Sequence, residues 1–422
     1  MKKLSQPAHR TLFGATVGLL LGIGIGFVGC AAEPEPTPTP TAAPIVVPTE
    51  ESLPQPQPGV GPECPTLHCV SVAVTGDLLF HQGLWTPYAI PTNELGQNFN
   101  FVPLLEGQRA YLDRSDLAIC QMETPLAPVG GPYYGYPAFS TPPELAAAAK
   151  DIGYDVCTTA SNHTVDMGTE GLIRTLDGLD AAGIAHTGSY RAEGERDVPL
   201  IVEANGVKIA IITSTFSLNG LSAEYDWQVD YGGPELGLDP ERTIAKAQAA
   251  RNAGADLVIG VQHAGTEYST VPDVQQVGNA HQLVDSGLFD FVYNHHTHSV
   301  QPMEVYNGRW IAYGLGNTIS ESAPASLRVN NEFLMVRIQF ALQEDGNWTT
   351  NDVSWNAATN TQSGVYKWCS VASDAPQGVC QWHEFDADVR ERTRATVNAM
   401  GAADIGAREW LLSEEASPAP AG

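Results

Sequence analysis

Two rhythms of apolar positions divide the sequence from residue 70 onward. Short runs rich in valine, isoleucine and leucine cover 70–75, 117–122, 155–159, 257–261 and 289–293 and read as strands. Between them, longer stretches repeat every three to four residues and predict helices over 101–113, 144–152, 168–182, 239–253 and 274–286. In the third, Leu172, Ile173, Leu176 and Leu179 share one face. Asn205-Gly206 joins 200–204 to 207–213, and Asn307-Gly308 joins 303–306 to 309–313; this dipeptide between apolar runs is a strong hairpin signal. A last apolar run spans 333–342. Strand–helix alternation followed by hairpins predicts an α/β domain over 67–345, with a mixed sheet or two packed sheets. Beyond about Gln343, asparagine, threonine, serine and tryptophan dominate and the periodicity fades. This predicts a C-terminal extension over 346–412, with an amphipathic helix near 389–400, and a disordered tail over 413–422. Trp355, Trp368 and Trp382 read as packing residues.

The N-terminus does not share these rhythms. Lys2, Lys3 and Arg10 precede an uncharged apolar run from 12 to 29, the pattern of a secretory signal. Phe27-Val28-Gly29-Cys30 resembles a bacterial lipobox, which makes Cys30 the expected lipidation site; an uncleaved membrane anchor is the alternative. Residues 30–66 form a linker, and 31–65 hold eleven of the thirty prolines, so it favours extended polyproline II and cannot bury a core. Both readings place the domain outside the cytoplasm, attached to the cell membrane only through its N-terminus. Loss of the three N-terminal bases takes the formal charge from -27 to -30, which argues against nucleic acid and against a membrane-surface patch. An anionic substrate would therefore need a local positive centre. Of the seven cysteines, Cys64 with Cys69 and Cys369 with Cys380 have spacings that suit local disulfides in an exported protein. Cys120 and Cys157 fall in apolar strands and read as small buried residues.

Polar residues of one kind follow the strands. Asp77, Glu123, Asn162-His163, His263 and His296-Thr297-His298 each stand just after an apolar run. In an open α/β sheet the C-terminal strand ends share one rim, where ligands bind, so strands of one sheet would bring these five loops together. Carboxylate, amide oxygen and imidazole form a mixed ligand set suited to Mn, Fe or Zn. Two such ions sharing a carboxylate can clamp a phosphoryl group and activate a water. His186 and His281 lie outside this pattern and read as ordinary polar residues.

A family resemblance covers about 70–340. Gly76-Asp77, Gln121-Met122-Glu123, Ser161-Asn162-His163 with Asp166 and Gly168, and Gly183-Ile184-Ala185-His186-Thr187-Gly188 occur in that order. His263-Ala264-Gly265-Thr266-Glu267, Asn294-His295-His296-Thr297-His298 with Gln301-Pro302, and Tyr313 with Leu315-Gly316-Asn317 complete the series. Together they resemble the CapA family of poly-γ-glutamate capsule synthesis proteins, within the calcineurin-like metallophosphatase superfamily. The resemblance implies an αββα sandwich of two mixed sheets flanked by helices. It implies Asp77, Glu123, Asn162, His263, His296 and His298 as ligands of two divalent ions, with Glu123 bridging. His163 would protonate the leaving oxygen, oriented by Asp166, and Glu267, His295, Gln301 and Asn317 would stand behind the ligands. The sequence departs at Gln121, Ser161, Ala264 and Asn294, and Leu79 occupies the place of the metallophosphatase histidine, with His81 nearby. The implied activity is metal-dependent hydrolysis at a phosphate or amide-type bond during surface-polymer synthesis or export. The implied partners are an anionic polymer or phosphorylated substrate and a membrane synthase complex. The rival reading is a non-catalytic polymer-binding or scaffolding component with a vestigial metal site.

Overall fold

The computed structural model describes residues 61–321, 327–361 and 365–415. The signal or anchor segment with Cys30, the linker up to residue 60, and residues 416–422 of the tail lie outside the described residues. In chain order the first eight strands are β1 (Cys69–Leu78), β2 (Leu117–Gln121), β3 (Val156–Thr158), β4 (Ala185–Thr187), β5 (Leu200–Ala204), β6 (Val207–Thr215), β7 (Leu257–His263) and β8 (Phe291–His295). There follow β9 (Met303–Tyr306), β10 (Arg309–Ala312), β11 (Asn317–Ile319), β12 (Glu332–Leu342), β13 (Trp348–Asn360), β14 (Trp368–Ser370) and β15 (Arg408–Glu409). The longer helices are α1 (Glu144–Asp151), α2 (Gly168–Ala182), α3 (Pro240–Asn252), α4 (Val274–Asp285) and α5 (His383–Val397).

The described strands form two mixed sheets. The first is nine-stranded, in the order β14-β13-β12-β1-β2-β3-β4, with β11 beside β1 and β15 beside β13; the second is six-stranded, in the order β5-β6-β7-β8-β10-β9. Val70, Val72 and Val74 of β1 belong to one buried cluster with Ile209 and Ile211 of β6 and Ile259 of β7, so the inner faces pack on each other. The outer faces are covered as well. Ala73, Ala118 and Cys120 pack with Leu145 and Ala149 of α1 and Leu179 of α2, and Ile212, Val258 and Val292 pack with Ala247 of α3 and Leu283 of α4. The architecture is an αββα sandwich. Strands buried on both faces lose the alternating pattern and read as continuous apolar runs, as these do.

Helix ends and turns follow local chemistry. Asp239 accepts from the Arg242 amide at the start of α3, and Asp273 forms a capping box with Gln276 at the start of α4. Both Asn-Gly turns have positive φ at both residues.

Several expectations differ from the structure. The helix read over 101–113 is broken into Val102–Leu105, a 3-10 turn at Glu106–Gln108, and Arg109–Leu112. At the break, a Cβ on Gly107 would lie 2.6 Å from the Trp368 carbonyl oxygen, so backbone packs on backbone there. The segment set apart as an extension supplies β13, β14, β15 and α5, and β13 pairs with β12 along its length. Its buried half alternates Val353, Trp355 and Ala357 with Ser354, Asn356 and, further on, Thr359 and Asn360, so the apolar run is short and interrupted. Ser413–Glu415 are placed, with Glu415 paired to the buried Arg337. Trp355 and Trp368 are buried, whereas Trp382 is exposed. Cys64 is joined to Cys69 and Cys369 to Cys380. Cys120 and Cys157 are also joined, because parallel β2 and β3 place them side by side. No helix among the described residues is long and apolar enough to cross a membrane.

Candidate metal centre

The strand ends converge, but from both sheets. β1, β2 and β3 deliver Asp77, Glu123 and Asn162-His163 from the first sheet, and β7 and β8 deliver His263 and the 294–298 segment from the second. The expectation of one shared sheet is thus replaced by a rim formed where two packed sheets end together.

Local geometry explains the short motifs. A Cβ on Gly76 would lie 2.1 Å from the Gly316 carbonyl oxygen. Only glycine lets β1 come close enough for the Asp77 amide to donate to that same oxygen at 3.1 Å. After β8, His296 and His298 both adopt positive φ, at 84° and 50°. This is a strained conformation for non-glycine residues, of a kind that collects at functional sites. The His296 amide donates to Asp77 Oδ2 at 3.1 Å, which helps hold the turn.

The side chains gather around Glu123 on two sides. On one, Asp77, Glu123 and His298 each offer a ligand atom within 4.8 Å of the others. His298 Nδ1 lies 3.3 Å from Asp77 Oδ2, and its Nε2 lies 3.8 Å from Glu123 Oε1. On the other, His263 Nε2 lies 2.9 Å from Asn162 Oδ1 and 3.8 Å from Glu123 Oε1, with the His296 ring 5.1 Å away. Behind them, His295 Nδ1 approaches Asp77 Oδ1 at 2.8 Å, and Asn317 Oδ1 accepts from His298 Nδ1 at 2.9 Å. Glu267 is exposed yet reaches His296 and His298 as a third possible group. Gln301 touches none of these; its amide ties Ser269 and Val271, and Gln276 donates to it. His163 Nδ1 lies 2.7 Å from Asp166 Oδ2. His186 and His281 pair with Asp180 and Glu304.

Electrostatics mark the centre. Burial, then the charge of Asp77, pushes the Glu123 carboxyl well above its ordinary range. Burial also acts on Asp77, but His295 and His298 outweigh it and hold that carboxyl well below its ordinary range. Burial pulls His298 down, yet Glu123 and Asp77 prevail and raise it to about 9. Burial lowers His263 strongly and takes His296 to about 3. Both Glu123 carboxylate oxygens, His263 Nδ1 and His296 Nδ1 are buried without a hydrogen-bond partner. Unsatisfied buried acceptors of this kind are costly, and their set of oxygens and imidazoles fits a divalent cation.

The centre opens into a cavity of about 820 Å³. Leu79 lines it and offers no ligand atom. His81 lies on the same wall, its ring against Phe139 at 5.0 Å, and belongs to none of the ligand groups. The sequence reading missed Tyr136, Asn219, Leu221 and Tyr268, which also line the cavity. The signals available were Asn219-Gly220, a turn dipeptide, and Tyr268, which directly follows Glu267.

Fold and site define a two-sheet α/β protein with a buried carboxylate–histidine centre at the strand ends. The family described as bacterial capsule synthesis protein PGA_cap matches residues 71–322, more than half of the chain, and the chain belongs to that family. It is 28% identical over 241 residues to a capsule biosynthesis protein CapA of Bacillus anthracis, covering 56% of this chain and 52% of that one. It is 29% identical over 205 residues to a PGA biosynthesis protein CapA of Bacillus subtilis, covering 48% and 51%. The chain thus spans about half the length of the curated relatives it matches. Among solved structures, the calcineurin-like phosphoesterase YfkN of Bacillus subtilis aligns with a TM-score of 0.42 and 14% identity, over 77% of this chain and 96% of that one.

Proposed function

We propose that this is an envelope-tethered CapA-like protein acting in synthesis or export of a surface polymer of the poly-γ-glutamate capsule type, through a dinuclear-metal hydrolase site. The observation that carries the reading is Glu123, a buried carboxylate with neither oxygen hydrogen-bonded, grouped with Asp77 and His298 and 3.8 Å from His263 Nε2. Glu123, Asn162, His263 and His296 would hold one ion; Asp77, Glu123 and His298 would hold the other, which has fewer donors because Leu79 supplies none. Bound Mn, Fe or Zn would polarise a phosphoryl or amide oxygen and supply an activated water. The chain's own residues do the rest. His295 and Asn317 orient Asp77 and His298. Asp166 holds His163 through Nδ1 at 2.7 Å and would stabilise its imidazolium, the form whose Nε2–H can pass a proton to a leaving oxygen. Six of the seven cysteines are paired in disulfides, which supports an oxidising compartment outside the cytoplasm and leaves Cys30 for lipidation. Partners on this reading are a phosphorylated or polymeric anionic substrate and a membrane synthase complex.

The test is metal content and turnover of bis(p-nitrophenyl) phosphate by the full chain purified from membranes, with mass spectrometry of its N-terminus. Two equivalents of metal, turnover lost in Glu123→Gln, and a lipidated Cys30 are expected. One ion or none, with polymer bound but not cleaved, would favour the scaffolding reading and sink this one.

A further inference from the structure

The segment that follows β6 touches three of the ligand residues without belonging to the ligand set. The Phe216 amide donates to the His263 carbonyl oxygen at 3.0 Å, and the Phe216 ring centroid lies 4.6 Å from that of His296. Asn219 Oδ1 accepts from Asn162 Nδ2 at 3.3 Å. Between them, Leu218 is buried in a cluster with Ala160 and Val165, which stand on either side of Asn162-His163 in the chain. Leu218 thus pins the segment against the loop that carries Asn162.

The backbone here makes a tight turn. Asn219 and Gly220 have φ of 53° and 77°, and the Leu221 amide donates to the Leu218 carbonyl oxygen at 2.8 Å. Turns with positive φ at both central positions accept asparagine, aspartate and glycine alike. Turn geometry therefore explains a small polar residue at 219 but not the direction of its side chain. Asn219 is an exposed residue at the cavity wall, yet its amide is spent on the buried Asn162.

That contact bears on which end of the Asn162 amide faces the centre. An asparagine amide carries an acceptor oxygen and a donor nitrogen of nearly the same shape, and only the oxygen can hold a cation. Asn162 Oδ1 lies 2.9 Å from His263 Nε2, on the side of the ligand cluster, and Nδ2 meets Asn219. Turned over, the Asn162 amide would offer N–H groups to the centre and set its oxygen against the Asn219 oxygen, acceptor against acceptor.

We propose that Asn219 is a positioning residue of the metal centre: by accepting from Asn162 Nδ2, it holds Asn162 Oδ1 toward the ion that Glu123, His263 and His296 would share. Asn162 comes from the first sheet and Asn219 from the second, so the contact also joins the two halves of the rim. The inference rests on the ligand assignment of the proposed function and not on hydrolysis.

The test is metal titration of the full chain by calorimetry, with thermal unfolding of the metal-free protein beside it, for Asn219→Gly and Asn219→Asp. Both substitutions keep the turn. Glycine removes the acceptor, so affinity for the ion at Asn162 should fall by roughly 10–100-fold, while metal-free melting stays near that of wild type. Aspartate can only accept, so it should retain wild-type affinity, and should do so in high salt, where an effect of its charge alone is screened. Wild-type affinity in Asn219→Gly would overturn the proposal. So would an Asn219→Asp variant as weak as the glycine one, or an aspartate advantage that high salt removes. A loss of affinity in Asn219→Gly matched by an equal loss of metal-free stability would mark a purely structural role and overturn it too. Wild type that binds metal without turnover would sink the hydrolase reading and leave this one standing; wild type that binds no metal would sink both.

Discussion

Glu123→Gln should make the metal-free protein more stable and the metal-loaded protein less so. The substitution keeps the side-chain shape and removes a charge. In the metal-free chain, both Glu123 oxygens are buried and unpartnered, and burial with Asp77 pushes its carboxyl well above the ordinary range. A buried acceptor without a partner costs about 1–3 kcal/mol, more when charged. The His298 imidazole, 3.8 Å from Glu123 Oε1, returns part of this, so a gain of about 1–2 kcal/mol is expected on that scale. The pH dependence has a definite sign. Well below 4.5, folded and unfolded chains both hold the Glu123 proton and its contribution vanishes. Above that, the unfolded wild type sheds the proton while the buried group keeps it, so wild type loses stability that the variant retains. Metal reverses the order, because an ion at a hundredfold excess over its Kd stabilises wild type by about 2.7 kcal/mol and a crippled site by less. Thermal unfolding at pH 7.5, after chelation and after reloading, measures both; about 2–4 °C per kcal/mol is the scale for domains of 150–250 residues. A chelated variant that melts below chelated wild type, or equal stabilisation of both by metal, would refute the reasoning.

Three further outcomes follow from the same geometry. Gly76→Ala drives a Cβ into the Gly316 carbonyl, so it should cost about 1–3 kcal/mol and lower metal occupancy by moving Asp77, read by calorimetry and metal analysis. His163→Ala should lower turnover by roughly 10²–10⁴-fold while metal content stays unchanged. Metal binding below pH 9 should release protons, because His298 is held at about 9 and must give up its proton to ligate; apparent affinity should rise with pH up to that value, and calorimetry in buffers of different ionisation heat counts the protons.

The parts of the site legible in the sequence were those that one strand end carries by itself. Gly76-Asp77, Asn162-His163 and His296-Thr297-His298 each combine a local backbone requirement with a ligand atom, so a few residues suffice to see them. The Gly76 requirement is contact with Gly316, and that of the histidine turn is positive φ. What stayed hidden depends on pairing between distant segments. Cys120 and Cys157 become a disulfide only because β2 and β3 align in that register. Tyr136, Asn219 and Tyr268 reach the cavity from loops whose sequence lacks any period. β13 escaped because its buried positions include Ser354, Asn356 and Thr359. Such polar side chains are tolerated inside when bonded, as Asn356 Nδ2 is to Ser370 Oγ at 2.8 Å.

That hidden strand bears on which part of the chain can hold metal at all. β1, which carries Asp77, pairs on one side with β12, and β12 is completed only by β13. A chain ended at residue 345 would leave β12 as an open edge and would strip Val353, Trp355, Trp368, Val389, Val397 and Trp410 from the buried clusters. Arg337, buried in β12, would lose Glu415 and be left with its charge uncompensated. At about 1.5–3 kcal/mol per large apolar side chain, the loss is about 10 kcal/mol or more, which matches the entire stability of an ordinary domain. Residues 61–345 should therefore show no cooperative unfolding transition and no tight metal binding, whereas residues 61–415 should show both, by circular dichroism and metal titration. Cooperative melting of the shorter chain with retained metal would mean that the strands after 345 are an ornament on an independent domain. Their place beside β12 argues that they are one wall of the sandwich on which the centre depends.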